Sequence, residues 1–197
     1  MEGGDAAPMT PQFAIVERAR YFHGLVVREV GSNKGPWVEA IVRLGGAAKA
    51  GNAWCARFVA AVMAEAERVH GVELVGFRRS GAARSYWQHA PDGSLIWPSN
   101  WRAARPGDVF VRTRLSRPLT DAGLLREGVR VQGHTGIVVE VDEGGVTCIS
   151  GNSSGTGHSK VAGSGAVAYE RMEPGSEAWQ RLAGFSRFWG PVGEAVV

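Results

Sequence analysis

Gly51-Asn52-Ala53-Trp54-Cys55-Ala56-Arg57-Phe58-Val59 is the stretch from which the chain is best read. A Gly-Asn loop hands one cysteine to the first turn of a helix expected from Cys55 to about His70. Phe58, Val59, Val62, Met63 and Ala66 recur at helical spacing as its apolar face, and Arg57, Glu65 and Arg68 mark the wetter side. Ala56, Ala60, Ala61 and Ala64 are small enough for a neighbouring element to pack closely. A helix N-terminus sets partial positive charge and free N–H groups beside the sulfur, which favours the thiolate. On its own, a cysteine in this position is more often a small core residue than a nucleophile.

Two later stretches change that balance. Gly133-His134-Thr135-Gly136-Ile137-Val138-Val139 places a histidine at the opening of an apolar strand, and Ser150-Gly151-Asn152 ends the strand expected to pair with it across Asp142-Glu143-Gly144. His134 and Asn152 then lie at one end of a hairpin, as a general base and the group orienting it require. Alternation puts Gly136 on the His134 face, where its missing side chain is expected to leave room for a substrate. Cys55, His134 and Asn152 are the candidate catalytic residues. Asn52 is a candidate oxyanion donor, and Trp54, Trp97 and Trp101 are candidate walls of a substrate groove.

Working outward, Thr10 and Pro11 open a helix expected to run to about Val27, with Phe13, Val16, Ala19 and Arg20 near helical spacing. Pro36 opens a second, with Trp37, Ala40, Ile41 and Leu44 on one face. A short helix is expected from Gly81 to His89, then a turn at Pro91-Asp92-Gly93. Strands follow: Arg105-Pro106-Gly107-Asp108-Val109-Phe110-Val111 reads as a turn and strand, and Ala166–Tyr169 and Leu182–Trp189 as two more. Helices first and antiparallel strands second is an α+β order. Residues 1–10 are expected to be a flexible N-terminus, and 11–197 a single domain with its core at 30–189. The arginine-rich stretch Arg112 to Gln132 reads either as a solvated excursion or as a lid.

The bulk numbers narrow the classes. At 197 residues, with 44% hydrophobic and 21% charged residues, the chain can bury a core without staples. A net charge of +3, without a basic stripe, gives no footprint for nucleic acid. Two cysteines, Cys55 and Cys148, are too few for a disulfide framework, and Cys148 sits in a strand-like run as a small hydrophobe. No run reaches the roughly 18 apolar residues of a membrane span, so no membrane insertion is expected. The first residues lack the basic and apolar regions of a signal peptide, so synthesis in the cytoplasm and delivery by other machinery are expected. His134, Cys148 and His158 show no zinc-ligand spacing, so neither a metal nor another cofactor is expected.

Trp54-Cys55-Ala56-Arg57-Phe58-Val59, Arg105-Pro106-Gly107-Asp108-Val109-Phe110, Gly133-His134-Thr135-Gly136-Ile137-Val138 and Ser150-Gly151-Asn152 resemble, in order, the motifs of CHAP domains. These are the cysteine, histidine-dependent amidohydrolases/peptidases, relatives of NlpC/P60 enzymes in the papain-like superfamily. The resemblance covers roughly Val30 to Trp189 and is nearest to phage and prophage members. It implies N-terminal helices packed on an antiparallel β-sheet, and cleavage of an amide in peptidoglycan at the muramoyl–L-alanine link or in the stem peptide or cross-bridge. It also implies Cys55 as nucleophile, His134 as base and Asn152 as orienting residue. Many members carry Glu two positions before the Asn; Ser150 stands there in this chain, so Asn152 is expected to act alone or with help from Glu140 or Asp108. The expected partner is cell-wall peptidoglycan, met by a monomer acting on the wall after export or release. An antibacterial effector role would add an immunity protein, and a non-catalytic phage structural or binding protein is the remaining alternative.

Overall fold

The computed structural model describes residues 9–47, 49–113, 133–153 and 165–190. Residues 1–8 of the expected flexible N-terminus, the 114–132 part of the arginine-rich stretch, and His158 lie outside the described residues. Three helices come first: α1 (Pro11–Gly24), α2 (Pro36–Leu44) and α3 (Cys55–His70). A one-turn helix α4 (Ser85–Gln88), a short strand β1 (Leu95–Ile96) and a 3₁₀ segment (Pro98–Ala103) lead to the main strands. These are β2 (Val109–Thr113), β3 (Gly133–Asp142), β4 (Gly145–Ser153), β5 (Ala166–Met172) and, after the one-turn helix α5 (Glu177–Gln180), β6 (Leu182–Ser186). They form a six-stranded sheet ordered β1-β6-β2-β3-β4-β5, with every pair antiparallel. This is the expected α+β architecture.

Strand alternation gives the sheet two apolar faces. Val109, Val111, Ile137, Val139 and Ile149 meet the helices, with Phe58, Val59, Val62 and Met63 of α3 packed among them. Phe110, Val138, Cys148, Met172 and Phe185 face the other way, against Ile96 and Trp101. α3 is buried nearly all round because α1 and α2 flank it while it lies across β3 and β4. Its alanines permit that approach. Even Glu65, expected on the wetter side, is nearly buried and paired with Arg68 at 2.7 Å.

Two helices roll differently from expectation. In α1, Ala14, Ile15, Val16, Ala19 and Phe22 are buried, while Phe13 and Arg20 are exposed. The helix also stops at Gly24, because Val27 leaves it to accept a hydrogen bond from Val167 N–H beside β5, at 3.2 Å. In α2, Val38, Ile41 and Val42 face inward, and Trp37 and Leu44 face solvent. Gly45 sets this roll: a Cβ there would come within 2.4 Å of the Arg57 carbonyl oxygen, so the end of α2 lies directly on α3.

The Pro106-Gly107-Asp108 turn is held by a buried ion pair. Arg187 donates to both Asp108 carboxylate oxygens, at 2.9 and 3.0 Å, and to the Ala103 carbonyl at 2.9 Å. Asp108 also accepts from Arg105 N–H at 2.8 Å. Both side chains are almost wholly buried, so removing one leaves the other's charge buried and unneutralised, with only a backbone hydrogen bond beside it. Asp108→Ala is expected to destabilise the fold by about 3–5 kcal/mol, read as a lowered midpoint in urea denaturation.

Candidate active site

Cys55 is the first residue of α3, and Trp54, the cap before it, makes no side-chain capping bond. The amides of the first turn are therefore left for the sulfur. Cys55 is nearly buried and takes hydrogen bonds from the backbone N–H of Ala56 and of Thr135 and from the His134 side chain. His134 is the second residue of β3, where the strand opens below the start of α3. Its Nε2 lies 2.6 Å from Glu170 Oε1 and 3.1 Å from Ser150 Oγ. With Nε2 so engaged, Nδ1 is the nitrogen that faces the thiol.

Glu170, in β5, stands where an orienting carboxylate is needed. Cys148 of β4 pairs with Glu170 of β5, so Glu170 shares the sheet face of Cys148 and Ser150 and reaches diagonally past Ser150 to the imidazole. The Ser150 hydroxyl donates to Glu170 Oε1, and Arg112 Nη2 holds Oε2 at 2.8 Å. Ser150, at the position where many family members carry Glu, therefore serves a glutamate that arrives from the next strand. Gly136 contributes by being small, but not as expected. A Cβ there would lie 2.7 Å from Ser150 Cβ and 2.8 Å from the Phe110 ring. The space is filled by these neighbours and is not open to substrate.

The electrostatics follow from burial and these contacts. Burial opposes ionisation of the Cys55 thiol, yet the His134 hydrogen bond and charge, with the two backbone amides, leave its pKa below the usual value. Burial likewise acts against the imidazolium, but Glu170 and Cys55 outweigh it and raise His134 to about 9. Glu170 is held well below the usual carboxylate range, burial being overcome by His134, Arg112 and Ser150. The contacts thus favour the thiolate of Cys55 and the imidazolium of His134 over the neutral pair. Cys148, fully buried beside Glu170, is pushed far up and stays a thiol.

The other expected site residues are placed differently. Asn152 lines a cavity beside His134, with its backbone in the left-handed region at φ 56°, but makes no hydrogen bond to the ring. The position it was expected to fill is taken by Glu170. Glu140 is exposed, and Asp108 is committed to Arg187, so neither assists. Asn52 is exposed in the loop before Cys55 and does not line the cavity. None of the three tryptophans lines it either. Trp54 is fully buried, donates to Glu29 at 2.8 Å and lies so close to Gly151 that a Cβ there would meet its ring at 2.5 Å. Trp97 packs edge-on against Trp87, and Trp101 against Trp179 on the far face of the sheet. Among the described residues, no three His, Cys, Asp or Glu side chains gather as metal ligands, and no helix is long and apolar enough to cross a membrane.

The missed residue, Glu170, carried one legible signal. In Ala168-Tyr169-Glu170-Arg171-Met172 a carboxylate alternates with Ala168 and Met172, both buried, and a charge on a buried face asks for a partner. If Glu170 sustains the imidazolium, Glu170→Gln must weaken the thiolate as well. Its Cys55 alkylation by iodoacetamide is expected to titrate at higher pH than in the native protein, moving toward the roughly 8.5 of free cysteine. An unchanged titration would show that Glu170 is not what holds the pair.

The CHAP domain family model matches residues 47–152. No curated protein and no solved structure matches the chain. The matched segment runs from the loop before Cys55, through His134, to Asn152, and ends before Glu170. It covers more than half of the chain, and the helix-on-antiparallel-sheet fold agrees with it: the chain belongs to the CHAP domain family, a family of peptidoglycan-hydrolase type.

Proposed function

We propose that this protein hydrolyses an amide bond in peptidoglycan by thiol catalysis, with Cys55 as nucleophile, His134 as acid and base, and Glu170 as the group that orients and charges the imidazole. The observation that carries this reading is the chain of contacts from Glu170 to His134 to a thiol at an uncapped helix start. The Cys55 thiolate attacks the amide carbonyl, and the tetrahedral oxyanion forms beside the free amides of the first turn of α3. His134 then gives its Nδ1 proton to the leaving amine as the C–N bond breaks, leaving a thioester. Water attacks the thioester with its proton passing to Nδ1, and departure of the acid restores thiolate and imidazolium. Glu170 stays ionised throughout, as its depressed pKa requires.

Cys55→Ala is expected to lower hydrolysis of purified peptidoglycan by about a thousandfold or more, measured by zymography beside the native protein. Equal clearing by the two proteins would exclude thiol catalysis, and absence of clearing by both would exclude the substrate. Mass spectrometry of the released muropeptides identifies the bond through its new ends. Activity requires the protonated imidazole, so kcat/KM is expected to fall as pH rises through about 9 and to hold on the acid side while the thiolate persists. The substrate lies outside the bacterial inner membrane. Expression with an added export signal is therefore expected to lyse cells, whereas the same chain kept in the cytoplasm is tolerated. Equal toxicity from both compartments would point to another amide.

A further inference from the structure

A cavity of about 500 Å³ opens beside His134, which forms part of its lining. Arg112, Thr113, Asn152 and Ser153 at the ends of β2 and β4 line it, with Glu177 and Arg181 from α5 and its C-terminal cap. Cys55 is not part of its lining. In the mechanism above His134 delivers its proton to the leaving amine, and because His134 also lines this cavity, the amine half of the substrate is the part brought next to it. Resting on the hydrolase reading above, we propose that this cavity is a carboxylate-binding subsite, with Arg112 and Arg181 as its cationic groups, and that it selects peptides with a free carboxylate on the leaving-amine side.

Three features support this. Arg112 is fixed before any ligand arrives: one Nη holds Glu170 and the guanidinium lies 6.0 Å over the Phe110 ring, which leaves other donors of its fork for a ligand. Arg181 is about one-third exposed and, among the described residues, is paired only with Glu177, itself mostly exposed, across one helical turn. Exposed pairs of this kind contribute little, so a carboxylate offering two oxygens in the cavity competes well for the guanidinium. Asn152, half-buried and making no hydrogen bond among the described residues, presents an amide to the same space. Stem peptides of peptidoglycan carry carboxylates that occur either free or amidated, so the subsite would distinguish wall chemistries that share a backbone.

The test uses the Cys55→Ala protein, which binds without turnover, and a disaccharide–tetrapeptide muropeptide prepared with its peptide carboxylates free or converted to carboxamides. Calorimetry is expected to show about tenfold tighter binding of the free form, and addition of Arg181→Ala to remove most of that difference while leaving the carboxamide affinity within about twofold. Unchanged carboxamide binding also shows that the double variant is folded. Arg181→Lys is expected to keep part of the preference, since it retains the charge and loses the fork. Equal affinity for the two forms, no measurable binding of either, or a preference that survives Arg181→Ala overturns the proposal. Hydrolysis by the native protein separates the two readings. Turnover without carboxylate preference defeats the subsite alone; carboxylate preference without turnover supports the subsite and defeats the hydrolase.

Discussion

Four groups in a row organise the candidate site: the Arg112 guanidinium, the Glu170 carboxylate, and His134 and Cys55, whose imidazolium and thiolate forms their contacts favour. Each is flanked by its opposite, and the row is formally neutral, which is why groups as buried as Glu170 and His134 can stay ionised. Buried ion pairs are poor sources of stability, because desolvation offsets most of their attraction. In the proposed mechanism their value is electrostatic preparation, since the contacts favour a charged nucleophile and a protonated acid before substrate arrives. The surrounding fold supplies what the row needs: a helix start without a cap, a strand opening beneath it, and two further strands in register to bring in the carboxylate and its clamp.

That registration accounts for much of the sheet. Arg112 comes from β2, His134 from β3, Ser150 from β4 and Glu170 from β5, four adjacent strands whose alternation puts all four side chains on one face. A slip of one residue in any of them would turn its contribution to the helix side. Packing on both faces resists such a slip, since Phe110, Val138 and Cys148 occupy one face and Val109, Ile137 and Ile149 the other. The Asp108–Arg187 pair pins the start of β2 to the segment after β6. It supports Arg112 and His134 through the backbone, which is a different role from the catalytic assistance expected of Asp108.

What could be read from the chain alone followed from local chemistry. The bounds of α3 match because a Gly-Asn loop, an apolar period of 3.6 and Gly71 after its last turn all lie in one short window. His134 was legible for a similar reason, in that a Gly-His pair opens a strand with clear alternation. Glu170 was not, because its function depends on register between two strands and a diagonal reach past Ser150, and neither is written in its neighbours. The expected strand also stopped at Tyr169, one residue short of it. The tryptophans misled in the opposite sense. Their size suggested a binding wall, while Gly151 under Trp54, and the ring partners of Trp97 and Trp101, show them spent on packing. The rolls of α1 and α2 failed where close contacts, such as Gly45 against Arg57, overrode weak amphipathic patterns.

The place of β6 in the sheet has a bearing on how such a domain can be cut or exchanged. It is the last strand among the described residues, yet it lies between β1 and β2, and β5 stands at the other end of the strand order. A fragment ending at Asn152, where the family match stops, would keep the thiol and the imidazole and lose the carboxylate. It would also leave β1 without a neighbour and uncover a flank of β2. Recombination between relatives at that boundary would join halves whose charge rows need not be complete, so the smallest transferable unit of this domain is the whole set of six strands.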